Sequence, residues 1–217
     1  MPRDKTKLQF YSLKLSLILL AVFLAQLLSR QITDAIVLDR NSFAQPWRFL
    51  TAVFAHANLL HLVLNLFALL LFGTILEGTI GSKRFLIVFI SSGIFANLVA
   101  VNFYPRSLGA SGAIFGVIAS LAVLRPNLVV WAFGVPMPLF LAATLWIAGD
   151  LLGAYGYLIG NPINNTGNIA HLSGTIVGFA YAFAVKKKFR RQARRRARFD
   201  IPEEIARAWE ERYVVQR

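Results

Sequence analysis

The sequence predicts an all-α, polytopic membrane protein, a six-transmembrane-helix bundle with a short central helix. Three observations carry this. Apolar side chains make up 57% of the 217 residues and charged ones only 15%, too greasy a balance for a soluble domain. Long charge-free runs are spaced at the length a bilayer needs. The basic excess, 23 Lys+Arg against 10 Asp+Glu, gathers mostly at the two ends of the chain.

The runs follow in order. Residues 1–14 form a basic N-terminus with Arg3, Lys5, Lys7 and Lys14, and no small-residue cleavage site follows it, so the first apolar run reads as a retained helix. That run, 15–29, is extended by a snorkelling Lys14. Residues 30–48 are a mixed loop suited to the interface, with Arg30, Asp34, Asp39, Arg40 and Arg48 among Ile32, Ile36, Val37 and Leu38. A second span with its approach covers 49–76, and a polar turn at 77–84 leads into a third, 85–104, ended by Pro105. The fourth covers 108–124 and stops at Arg125-Pro126-Asn127. Between Pro126 and Val185 the one charge is Asp150, and sixty residues exceed a single span of ~20. Gly134, Pro136 and Pro138 make 128–138 a non-spanning connection, 139–157 the fifth span, the turn-rich 160–167 a loop, and 168–185 the sixth. The membrane domain is thus 15–185. The tail, 186–217, holds nine basic residues by Arg198, then a helix-start signature at Asp200-Ile201-Pro202-Glu203-Glu204.

Charge fixes the orientation. With both termini cytoplasmic, the inner side collects four Lys+Arg before residue 15, Lys83, Arg84, Arg125 and twelve from the tail. The outer side holds only Arg30, Arg40, Arg48 and Arg106, which satisfies the positive-inside rule. Ser111 then falls near the outer face. A bacterial plasma membrane is the simplest setting for so short a chain. The basic ends read as topogenic charge, with the tail able to meet anionic lipid, and nothing points to nucleic acid. With no cysteine in the chain, disulfides, thiolate metal sites and cysteine nucleophiles are excluded. No cofactor or metal is called for.

Gly109-Ala110-Ser111-Gly112 sits where a polar turn runs into an apolar helix. One reading is packing, since small residues let membrane helices approach. The other is a nucleophile with space cleared around its hydroxyl. The histidines weigh toward the second. All three, His56, His61 and His171, fall in spans or at their edges, on the same outer side as Ser111, and Asn65 shares a helical face with His61. Ionisable groups at such depth face the protein interior or a water cavity and default to function. His171 shares a face with Gly174 and Gly178, while Gly112 and Gly116 form a matching seam on the fourth span, so the glycines would pack the backbones and bring imidazole to hydroxyl. A serine, a histidine base and Asn/His donors fit acyl transfer through an oxyanion hole. No acid is expected at the depth of His171. Asp150 is read as a structural anchor roughly 10 Å deep by helix rise, leaving a Ser–His dyad. Position 113 is Ala, so the G-x-S-x-G elbow of soluble hydrolases is absent. About 14 residues separate Ser111 from Arg125, some 21 Å of helix against a core of ~30 Å, so the serine should lie sunken and be reached through water.

Trp47-Arg48, the run His56 to Asn65, Glu77-Gly78 with Gly81, Gly109-Ala110-Ser111-Gly112 and Ala170-His171-Leu172-Ser173-Gly174 with Gly178 together resemble a rhomboid intramembrane serine protease, from about Trp47 to Ala184. The resemblance implies a six-helix core with Ser111 as nucleophile and His171 as general base. It also implies an oxyanion hole from Asn65, the His61 side chain and the Ser111 N–H. His56 matches a supporting histidine, Gly109 and Gly112 the glycines of the serine motif, and Trp47-Arg48 and Glu77 positions that shape the first loop and helix ends. Substrates would be membrane-anchored proteins cleaved in or near the bilayer. Two features depart from the pattern. Phe115 is Tyr in some members, so it offers a ring to stack on His171 but no hydroxyl, and the tail beyond Lys188 has no counterpart. The rival readings are a catalytically silent rhomboid-like binder, which would be expected to lack the serine or the histidine, and a transporter or proton pathway, which would need polar groups in the inner half. Oligomeric state has no sequence signal.

Overall fold

The structure is a computed structural model that describes residues 8–163, 166–197 and 203–213. Met1 to Lys7 of the basic N-terminus, Asn164 and Asn165 of the last loop, and the Asp200-Ile201-Pro202 signal lie outside the described residues. The chain forms two units, residues 1–184 and 185–217.

In the first unit, helix α1 (Tyr11–Leu28) leads into a structured loop: α2 (Arg30–Ile36), strand β1 (Leu38–Asp39), a 3-10 turn (Arg40–Phe43), α3 (Arg48–Thr51) and a second 3-10 turn (Ala52–Phe54). The second span starts only at Leu59. It runs through α4 (Leu59–Ala68), a π-helical turn (Leu69–Gly73) and α5 (Thr74–Ile80). Then come α6 (Ser82–Ala100), β2 (Arg106–Ser107), α7 (Ser111–Leu124), a hairpin of β3 (Val129–Ala132) and β4 (Val135–Pro138), α8 (Leu139–Leu158) and α9 (Asn168–Ala197). Among the described residues five helices are long and apolar enough to cross a membrane, and α7 is the shorter sixth apolar helix. An all-α membrane bundle is therefore what the chain builds.

Two segments gain detail. Residues 49–58 form the approach, and the second span begins after Asn58, which caps α4 by accepting the His61 N–H (2.8 Å). Residues 128–138 are non-spanning as expected, yet they form a β-hairpin, with Gly134 (φ +80°) in the turn.

Polar contacts fasten the bundle at two places. The first α-helix has no side-chain cap of its own, and Glu77 supplies one from α5. Its carboxylate accepts the N–H groups of Tyr11 and Ser12 (both 2.9 Å) and the hydroxyls of Ser12 (3.0 Å) and Ser82 (2.6 Å). Helix N-termini carry orphan donors, and here the cap comes from a neighbouring helix. Glu77→Ala should lower stability by about 3 kcal/mol, the order expected when several buried donors lose a charged acceptor. Thermal unfolding in detergent and amide exchange at Tyr11 and Ser12 check this; unchanged exchange there would refute the capping role.

The second place is the first loop. Buried Arg48 donates to the Val37 carbonyl (2.8 Å) and to Gln45 Oε1 (2.6 Å), and β1 pairs with β2 in the register Leu38 with Ser107 and Asp39 with Arg106. The loop is thereby tied to the segment directly before Ser111. Asn97 reaches from α6 to the Phe49 carbonyl (2.9 Å) beneath it.

In the second unit α9 continues to Ala197, and α10 spans Glu203–Tyr213.

Candidate active site

Ser111 is the first residue of α7, preceded by Gly109 in a conformation (φ +123°) that favours glycine. The first backbone bond of this helix runs from the Ile114 N–H to the Ala110 carbonyl (2.9 Å). The N–H groups of Ser111, Gly112 and Ala113 therefore have no acceptor within the helix, and they point out of the positive end of its dipole.

The glycine seam forms as the spacing predicted. A methyl group on Gly174 would stand 1.9 Å from the Gly112 carbonyl oxygen, and one on Gly178 would stand 2.1 Å from that of Gly116. Helices α7 and α9 touch backbone to backbone, and Ser120 Oγ donates across to the Gly178 carbonyl (3.0 Å). Ser92 of α6 closes on Gly116 from the other side.

Above the seam lies a cavity of about 1000 Å³. Ser111, His171, His61, Asn65, Gly109, Gly112 and Phe115 all line it, so seven of the eight residues singled out from sequence share one space. The eighth, His56, stands behind them with its ring 5.0 Å from that of His61, edge to face. His61 lies against Gly109, where a Cβ would come within 2.9 Å of its Nε2, so side-chain-free backbone makes room for the ring. The buried Asn65 donates to the His61 carbonyl (2.8 Å) and lines the cavity one turn further on.

His56 precedes the second span, and its backbone is held to α1 by Gln26, whose Oε1 accepts the His56 N–H (2.9 Å). Burial, helped by the adjacent His61, pushes its pKa from 6.5 down to about 4, so the imidazole is neutral.

His171 is fixed on two sides. Phe115 stacks on it, with centroids 4.3 Å apart and planes 8° from parallel, so the expected aromatic contact is made. The other contact was not expected: Asp150 Oδ1 lies 3.0 Å from His171 Nδ1. Asp150 is thus not a remote anchor, and an acid does stand at the depth of His171. The error came from counting depth from the ends of the helices. Asn168, at the start of α9, packs its side chain against Gly153 of α8, so α9 begins about one and a half turns inside the C-terminal end of α8 and not level with it. In antiparallel helices that register sets residue 150 opposite residue 171. Asp150 as the lone charge between residues 126 and 185 was the signal that called for a partner. Tyr104 closes this end by accepting the Ile169 N–H (3.1 Å), and Tyr157 donates to the Phe103 carbonyl.

The comparisons with known proteins agree with this architecture. The family model for the Rhomboid domain matches residues 44–188. The chain is 31% identical over 160 residues to Rhomboid-like protein 11, chloroplastic, of Arabidopsis thaliana, covering 68% of this chain and 55% of that one. It is 32% identical over 162 residues to Rhomboid protein 1, mitochondrial, of Saccharomyces cerevisiae, covering 67% and 43%. Rhomboid protease GlpG of Haemophilus influenzae is 30% identical over 146 residues, with 66% and 72% covered. The chain spans about half the length of the first two relatives. With membrane-length helices and a family match over most of its length, the chain belongs to the rhomboid family of integral membrane proteins.

Proposed function

We propose that the protein is an intramembrane serine endopeptidase that cleaves membrane-anchored proteins in or near the bilayer. The observation that carries this reading is the convergence of Ser111, His171, His61 and Asn65 on one cavity, with Ser111 at a helix N-terminus whose N–H groups lack helical acceptors. The relatives named as proteases support the class of reaction.

Ser111 Oγ attacks the scissile carbonyl carbon while its proton passes to His171 Nε2, and the C=O π electrons move to the oxygen. The resulting oxyanion is met by the Ser111 N–H, the Asn65 amide and the His61 side chain, donors aimed where charge develops. Collapse of the intermediate breaks the C–N bond, and the imidazolium proton goes to the leaving amine. Water then attacks the acyl-enzyme, giving its proton to His171, and the reverse collapse frees Ser111. Gly109 and Gly112 keep room at the hydroxyl, Phe115 braces the base, and His56 backs His61. No step requires a metal or cofactor.

In this reading residues 15–185 are the protease domain, 1–14 and 186–217 are cytoplasmic, and the site opens toward the outer face of a bacterial plasma membrane. The charge asymmetry supports that orientation. The bilayer and transmembrane substrates are the partners.

A fluorophosphonate probe tests the chemistry. The detergent-solubilised protein should be labelled at Ser111, located by peptide mapping, and the protein in proteoliposomes should cut a transmembrane reporter. Neither labelling nor cleavage by the intact protein would favour a silent binder.

A further inference from the structure

We propose that Asp150 is a positioning residue for His171, so that the base works as the middle of a serine–histidine–aspartate arrangement built inside the membrane. This rests on reading His171 as the general base, and it goes beyond a two-residue mechanism.

The carboxylate oxygen Oδ1 stands 3.0 Å from His171 Nδ1, and both side chains are nearly buried, 9% and 12% exposed. A neutral imidazole carries one proton, on either Nδ1 or Nε2, and the neighbour of one nitrogen selects the tautomer. A carboxylate can only accept. It therefore holds the proton on Nδ1 and leaves the Nε2 lone pair free for the Ser111 hydroxyl. When Nε2 takes that proton during attack, the imidazolium that forms has its positive charge beside the carboxylate, which stabilises it without itself being protonated.

Three features make this contact specific. Asp150 Oδ2 has no partner among the described residues, so the imidazole is the acid's principal contact. Of the three histidines, His171 alone is given a carboxylate, whereas both ring nitrogens of His56 are without a partner. The pairing also follows from the register of α8 and α9 that Asn168 and Gly153 set, so the backbone delivers the carboxylate to this height. Phe115 fixes the plane of the ring and leaves rotation within that plane, which the Asp150 contact removes.

Asp150→Asn is the test, because the amide has the same shape but carries a donor that can select the other tautomer. With the transmembrane reporter in proteoliposomes, kcat should fall by about 100-fold or more while KM stays within about threefold and the thermal midpoint is little changed. Asp150→Glu should recover part of the lost kcat. On the wild-type protein, 15N-histidine NMR should show His171 protonated at Nδ1. Unchanged kcat in Asp150→Asn, or His171 protonated at Nε2 in the wild type, would overturn the proposal. Should the variant fail to fold, the wild-type spectrum decides alone. Absence of labelling at Ser111 in the wild type would instead refute the reading of the site as a protease.

Discussion

Ser111→Ala is expected to abolish cleavage of a transmembrane reporter, lowering kcat by about 10⁴-fold or more, with stability unchanged within about 0.5 kcal/mol. The substitution removes one oxygen and nothing else. Ser111 is the first residue of α7, its backbone conformation suits alanine, and the N–H donors of residues 111–113 stay where they are. The loss is thus chemical and not structural, a separation that a thermal melt alongside the kinetics makes visible. His171→Ala should match it in rate, and the double variant should be no worse than either single one, because the two groups act on one proton. A Ser111→Ala protein keeping more than a hundredth of wild-type activity would place the nucleophile elsewhere, and a His171→Ala protein doing so would place the base elsewhere.

Gly174→Val should also be damaging, for the opposite reason. A Cβ there meets the Gly112 carbonyl oxygen at 1.9 Å, and backbone has no rotamer by which to yield. Relief requires α9 to move off α7, which costs about 3 kcal/mol of packing. The displacement carries His171, three residues away, from Ser111, next to Gly112. A misplacement of 1 Å can cost about 100-fold in rate, so activity and thermal midpoint should fall together. Gly178→Val, against the Gly116 carbonyl at 2.1 Å, should do the same. The control is Gly78→Ala in α5, where a Cβ meets nothing within 4 Å and the melt should hold or rise. A Gly174→Val protein with a wild-type melt and rate would mean the seam is not what holds the two helices.

Much of this was legible in the chain because membrane helices obey few rules and obey them openly. Charge-free length locates the spans, and the i, i+3 and i+7 spacing of His171, Gly174 and Gly178 gives the packing face. Other features are less legible. Residues 49–58 are as apolar as a span, and only the Asn58 cap marks where the approach ends and the helix begins. Asp150 was judged by distance along the chain, but depth in a bundle is set by how neighbouring helices slide against each other, which the Asn168 contact fixes and composition does not record. The hairpin at 129–138 and the inward hold of Arg48 on the Val37 carbonyl are local contacts, but neither leaves a mark in charge-free length or helical spacing.

The stack of Phe115 on His171 has a mechanical consequence. Phe115 lies one turn below Ser111 on the same 14-residue helix, so a single rigid rod carries both the hydroxyl and the surface against which the imidazole rests. The stack sets the plane of the ring, while its height along the helices is still set by the glycine seam. The plane of the imidazole is thereby referenced to the same helix that carries the hydroxyl.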